Sequence, residues 1–430
     1  MDPLLVRQLW TEIDRIPIYD PHTHIRPQHS TAQNIAEILS YHYYTELINS
    51  AEYQPGGFPL DDPRRFTRSV LEKLPLISNT VQYDWLMSIS ETFFHIPRQD
   101  WRPGNWESIW ERTQKAIDAP DYRERVIRQS NIRRVFLTNS YDDDLSGVDT
   151  SFYTPCLRVD PFVEYAFRPP EWDRLEAFAG AEARSLSGFG KALDEAFRKF
   201  SRLGVAYAAL GTRPNLVTRP VATEEAARIL GRAVAGAILE EEEKALWEAY
   251  GINQVTERCR PYRLPFHLMI GANRAVYAHG VPSGMDLLDS TNSLRGYDYL
   301  FNAYPDIRFP VSVLADTSGL ELTAAAWIRH NVFPSGHWWY SNQPTDIARE
   351  LERRLNAVPK GKLIGYYSDA YYLEFVLPKF RMYKFELALA LAERIERSRL
   401  HPNMAPFSAD VALELAREVL VSNLERIFSK

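Results

Sequence analysis

The chain has 430 residues, 45% hydrophobic and 25% charged, with 50 Lys+Arg against 56 Asp+Glu for a net charge of -6. That balance supports a large folded core and argues against a nucleic-acid partner, which a basic surplus would announce. Its two cysteines, Cys156 and Cys259, are too few for a disulfide scaffold or a Cys-rich zinc module.

The N-terminal stretch MDPLLVRQLWTEIDRIP alternates apolar with charged residues and lacks the apolar core of a signal peptide. No uninterrupted apolar run approaches the ~18 residues of a membrane helix, so a cytoplasmic protein without a membrane partner is expected. The first predicted strand is Ile16-Pro17-Ile18-Tyr19-Asp20, short, apolar and stopped by Pro21. A mostly helical insertion rich in Trp and Tyr follows over about 33–129. A second buried strand is predicted at 135–138, ending in the polar turn Asn139-Ser140-Tyr141-Asp142-Asp143-Asp144. Apolar runs at 153–159, 205–210, 266–270, 309–314, 331–333 and 363–367 read as further strands. Gly188-Phe189-Gly190-Lys191 has no buried strand before it and reads as a turn entering a helix, not a phosphate cradle. The clearest helix spans 222–250, with Glu240-Glu241-Glu242-Glu243 as a solvated face. A closing helix starts after Ser408 as N-cap and carries Val411, Leu415 and Val419 at four-residue spacing. Strands alternating with helices predict a parallel sheet with helical crossovers. Eight strands fit an α/β fold of the TIM-like (β/α)8 barrel type, one domain over 1–430, better than an open sheet.

The sharpest chemical signal is Asp20-Pro21-His22-Thr23-His24, directly after the first strand. Residues two apart in an extended segment point to the same side, so His22 and His24 can converge on one divalent metal ion. Asp369, in Leu363-Ile364-Gly365-Tyr366-Tyr367-Ser368-Asp369, ends the last strand, which lies beside the first once a barrel closes. It can complete the metal site and move protons, or cap the helix that follows. Two imidazoles and a carboxylate suit Zn2+ first, with Mn2+, Fe2+ or Ni2+ as alternatives. Neither a Gly-x-Ser-x-Gly nor a P-loop is present.

Together these features resemble the amidohydrolase superfamily and, within it, the uronate isomerase family. Pro17-Ile18-Tyr19-Asp20-Pro21-His22-Thr23-His24 is similar to the family's opening Pro-Ile strand and Asp-x-His-x-His, and Leu39-Ser40-Tyr41-His42-Tyr43 to its Leu-x-x-Asp-His-Tyr. Asp142-Asp143-Asp144-Leu145 resembles its Asp-rich turn, and Cys156-Leu157-Arg158-Val159-Asp160 its Phe-Arg-Pro-Asp. Ile270-Gly271-Ala272-Asn273-Arg274 resembles Ile-Gly-Ala-x-Arg, and Ser335-Gly336-His337-Trp338-Trp339-Tyr340 resembles Ser-Gly-Trp-Trp-Phe. Ser368-Asp369 falls where the family has Thr-Asp-Ser-Arg, and the matches keep their order from residue 16 to 428. The resemblance implies an aldose–ketose isomerase of a sugar acid working through an enediolate. It implies His22, His24 and Asp369 as metal ligands, and Asp369, Tyr43 and His42 as catalytic groups. Arg158, His337, Trp338, Trp339 and Tyr371 are the implied substrate-binding residues. His267, inside the run 266–270, is either a further imidazole ligand or a hydrogen-bonded core residue.

Departures from the family bear on the substrate. Tyr44-Thr45-Glu46 stands where the family has Lys-Trp-Arg, and Asp369-Ala370-Tyr371 where it has Asp-Ser-Arg. Two guanidinium groups that could grip a carboxylate bidentately are therefore missing. Weak turnover of D-glucuronate and D-galacturonate is the expectation, unless Arg68 or Arg263 moves in. Alternatives of other classes are a metal-dependent hydrolase of a lactone, amide or ester, a lyase, or a binding protein without catalysis. The expected partner is a small molecule, and a homo-oligomer stays open.

Overall fold

The structure is a computed structural model that describes residues 1–180 and 182–428. β1 (Ile18–Asp20) pairs in parallel with β2 (Ile132–Phe136), and β2 with β3 (Tyr153–Thr154). β4 (Leu157–Arg158), β5 (Ala208–Thr212), β6 (Phe266–Ile270), β9 (Phe309–Val313) and β10 (Val332–Pro334) form a second parallel ladder in that order. β7 (Ala272–Asn273) and β8 (Leu287–Leu288) make a separate antiparallel hairpin above β6.

Backbone hydrogen bonds close the two ladders into one ring. Between β3 and β4 stands Pro155, which has no N–H for the ladder, so the predicted strand 153–159 is one stave in two pieces. Asn139 bridges to Leu157 across that break. On the other side Ser335 bridges to Ile364, and Asp369 N–H and Ala370 C=O bond to His22 C=O (3.1 Å) and His24 N–H (2.8 Å). The last stave meets the first, and the molecule is a (β/α)8 barrel. The stave predicted at 363–367 forms a bridge and no full ladder, because Gly365 N–H turns outward to Val419 C=O at 3.1 Å. Staves β6 and β9 are buried throughout, as the walls of a barrel core require.

Other boundaries move for local reasons. β2 starts at Ile132, ahead of the predicted 135, because the exposed Arg133 and half-buried Arg134 interrupt its apolar run. The predicted strand at 205–210 registers instead from Ala208, where it finds Leu157 on one side and Phe266 on the other. The single helix expected at 222–250 is two, Thr223–Val234 and Glu241–Tyr262, parted at Gly236 with φ +85°. The acidic run starts the second of them: Glu240 and Glu243 form a capping box, and Glu243 is buried against Arg228 at 3.0 Å. Gly188 lies in the first turn of the helix Leu186–Arg202, its N–H on the Ser185 hydroxyl, so that motif is helix and not the expected turn. Ser408 caps the helix Ala409–Arg417 as expected, with Leu415 and Val419 buried and Val411 exposed.

Between β1 and β2 the chain runs through helices Ile35–Leu39, His42–Ala51, Pro63–Lys73, Val81–Ile89, Trp106–Ile117 and Tyr122–Ser130. The start of His42–Ala51 lies at the C-terminal mouth of β1, where His42 and Tyr43 line the same cavity as His22 and His24. The helix Val376–Leu400 packs against Pro3–Asp14 and Val81–Ile89. At the barrel floor the Phe428 ring sits 5.1 Å from Tyr207 and 5.5 Å from Phe136. Among the described residues no helix is long and apolar enough to cross a membrane.

Candidate active site

The C-terminal end of β1 presents His22 and His24 on one side of an extended segment. Thr23, between them, points the other way, its N–H and hydroxyl both bonded to Phe136 C=O. Asp369 arrives from the last stave with Oδ1 3.4 Å from His22 Nε2 and 3.2 Å from His24 Nε2. One ligand atom from each of the three lies within 4.8 Å of the others. His22 Nε2 and Asp369 Oδ1 are buried and have no hydrogen-bond partner. Two bare acceptors and a third donor atom facing one another, away from water, fit a cation and little else. Burial alone would raise the Asp369 carboxyl, but the flanking imidazoles hold it well below the usual carboxylate range. Burial lowers His22, keeping it neutral as a ligand must be.

Tyr207 fixes which nitrogen of His22 is bare. Its hydroxyl donates to Pro21 C=O at 2.7 Å, so its oxygen is left to accept from His22 Nδ1–H at 3.3 Å. The proton on Nδ1 leaves the Nε2 lone pair toward Asp369 and His24. Asp20, fully buried, accepts from Ser368 N–H at 2.9 Å and from the Ser368 hydroxyl, tying the first stave to the last. Burial pushes the Asp20 carboxyl up to about 7.

The three ligand candidates open into a cavity of about 1050 Å³ at the C-terminal mouth of the barrel, where barrel enzymes carry their sites. His42, Tyr43, Arg158, Trp338, Trp339 and Tyr371 line it. His42 and Tyr43 begin the helix His42–Ala51; burial pushes His42 down to about 4 and raises the Tyr43 phenol, so both are neutral at pH 7. Tyr371 stacks on the His24 ring, centroids 5.1 Å apart and planes 21° apart. Arg158 lies against Asp160 through two parallel bonds of 3.0 Å. Trp339 is placed by a left-handed backbone (φ +49°) after Gly336 (φ +45°), where a Cβ would meet the Tyr367 ring at 2.3 Å.

Two of the predicted residues stand outside the cavity. His267 is buried on β6, one layer below His22. Ser312 spends its proton on Ser335 C=O, so its oxygen accepts from His267 Nε2–H at 3.1 Å. His267 is thus hydrogen-bonded in the core through Nε2 while its buried Nδ1 has no partner, and it is absent from the group of converging ligand atoms. His337 is buried behind the wall, against Tyr383 and Tyr366, and does not line the cavity.

Glu46 does not face the cavity either. It packs against Gly284 of the β7–β8 hairpin, and burial, with Asp286 nearby, pushes its carboxyl up to about 8. At 3.9 Å from His42, with both groups neutral, the contact is not an ion pair. Neither proposed replacement cation is near: Arg68 pairs with Glu72 on the surface, and Arg263 ends the helix Glu241–Tyr262 beside Arg308. Beside Arg158, the cavity is lined by Arg26, Arg168, Arg174, Arg213 and Arg274, the last on the hairpin and held by Asp286 at 2.6 Å. Arg274 sits in the quoted Ile270-Gly271-Ala272-Asn273-Arg274 motif, just beyond the buried strand Phe266–Ile270, and that motif was the signal for it. Tyr207 left only a weaker signal, a hydroxyl within an apolar run.

A family model described as glucuronate isomerase matches residues 5–428. A curated uronate isomerase of Corynebacterium efficiens is 24% identical over 372 residues, covering 79% of this chain and 78% of that protein. The solved uronate isomerase of Thermotoga maritima superposes with a TM-score of 0.90 at 19% identity, over 100% of this chain and 98% of that one. The glucuronate isomerase of Caulobacter crescentus gives a TM-score of 0.88 at 18% identity, over 99% and 95%. Because that family model spans residues 5–428, nearly the whole length of the chain, the chain belongs to the glucuronate isomerase family.

Proposed function

We propose that this enzyme is a metal-dependent aldose–ketose isomerase of a uronate, with one divalent ion, Zn2+ in first place, held by His22, His24 and Asp369. The observation that carries the reading is the meeting of that unpartnered ligand set with a cavity lined by Arg158 and Arg274. A cation bound there supplies Lewis acidity for polarising a carbonyl. The two guanidinium groups receive the substrate carboxylate and set the far end of the molecule. Asp369, held ionised by its depressed pKa, takes the proton from the carbon beside the carbonyl and returns one, exchangeable with solvent, to the former carbonyl carbon. Tyr43, neutral and buried, offers its O–H to the second oxygen, with neutral His42 next to it. Trp338 and Tyr371 cover the sugar face and keep water from the reacting carbons.

Incubation of the Zn2+-loaded enzyme with D-glucuronate or D-galacturonate in D2O tests this. The expected result is a ketose acid carrying solvent deuterium on the carbon next to the carbonyl. Uronate recovered without carbon-bound deuterium, together with 18O from H2(18)O in the carboxylate formed from a sugar-acid lactone, would replace the isomerase reading by the hydrolase one.

A further inference from the structure

Asp369 stands in the left-handed region, φ +55°, which few residues other than glycine adopt. Something must hold it there, and every backbone polar group from Ser368 to Ala370 has a partner. Ser368 N–H goes to Asp20 and Asp369 N–H to His22 C=O, while Ala370 N–H goes to the Ser368 hydroxyl at 3.1 Å and Ala370 C=O to His24 N–H. The remaining two carbonyls lead to one side chain. Lys379 Nζ donates to Ser368 C=O at 2.8 Å and to the Tyr41 hydroxyl at 2.6 Å, and that hydroxyl in turn donates to Asp369 C=O at 3.4 Å.

Lys379 is 0% exposed, in the second turn of the helix Val376–Leu400. Its ammonium head lies 4.7 Å from the Tyr41 ring centre, 4.7 Å from Trp85 and 5.4 Å from Tyr43. A lysine enclosed this way is expensive to bury, and packing alone would be served by methionine. Its donors instead span the carbonyls on both sides of the Asp369 α-carbon, one directly and one through Tyr41. The same head group sits under the ring of Tyr43, so it links the acid and the phenol assigned to proton transfer.

We infer that Lys379 is a positioning residue: through Tyr41 and the Ser368 carbonyl it sets the left-handed turn that aims Asp369 at His22 and His24. The inference rests on the metal site proposed above. Partners behind metal ligands commonly change affinity or activity 10–100-fold when removed.

The test compares K379M with K384M. Lys384 is also buried on this helix, but it donates to the carbonyls of Asp14 and Ile16, away from the site. Zn2+ affinity of the metal-free proteins is measured by chelator competition, with steady-state kinetics and thermal melting alongside. K379M is expected to bind Zn2+ roughly 10–100-fold more weakly and to lose kcat with little change in KM, while K384M melts earlier and keeps its Zn2+ affinity. Equal affinity in K379M and the wild type would overturn the inference, as would an equal loss in K384M. If K379M does not fold, Y41F decides: weaker Zn2+ binding with lowered kcat supports the relay, and unchanged values overturn it. A wild type that does not bind Zn2+ would overturn the metal site itself and this inference with it.

Discussion

Tyr207 has a single proton, and its delivery to Pro21 C=O leaves His22 one usable lone pair. Tyr207→Phe should therefore lower metal affinity about 10–100-fold while the fold persists, measurable by titration of the metal-free protein. His22→Ala and His24→Ala should each abolish both bound metal and turnover, since each removes a ligand at the rim and leaves the barrel's packing intact. Stoichiometric metal in the double variant would defeat the assignment. At the other end of the cavity, Arg274→Met should cost a charged hydrogen bond to a uronate carboxylate. That is on the order of 1.5–3 kcal/mol, read as a roughly 10–150-fold loss in kcat/KM, mostly in KM. The His-x-His pair was legible in the sequence because two histidines in an extended triplet must share a side. Lys379 and Tyr207 were not, because a polar tip within an apolar run looks like core until the fold shows what it touches.

The start of the helix His42–Ala51 and the β7–β8 hairpin meet at Glu46 and Gly284. Glu46 holds its proton up to about 8 when folded, against an ordinary value of 4.5. Because the folded state binds that proton more tightly, stability contributed here falls as pH rises from about 4.5 to about 8, then levels off. Glu46→Gln should flatten this part of the profile. The difference in melting temperature between variant and wild type should then grow in the variant's favour from pH 5 to pH 8. A constant difference would mean that Glu46 is ionised throughout. The sequence reading recognised Glu46 as a departure but placed it facing the substrate, because nothing local to 44–46 reveals the hairpin that covers it. Element boundaries failed for equally physical reasons. The 222–250 pattern is continuous in composition, and only the positive φ of Gly236 and the reciprocal cap at Glu240 divide it.

Across the whole molecule, the alternation of short buried strands with helices was sufficient to read the barrel, and the pairing of first with last stave followed from closure. Which strand would fail to form a full ladder did not follow, since Gly365 bonds to a helix more than fifty residues downstream. The site couples to global stability by mass action. Metal at 100 times its dissociation constant should stabilise the folded enzyme by about 2.7 kcal/mol, seen as a rise in melting temperature that chelator reverses. His22→Ala should show no such rise.

The bond between Asp20 and Ser368 joins positions 348 residues apart. The two histidines of the proposed metal site are therefore synthesised hundreds of residues ahead of the carboxylate that faces them. A nascent chain halted before residue 369 has two imidazoles and no acid to share an ion with them, so metal held at the proposed site would mark a chain that has grown past Asp369 and closed its barrel.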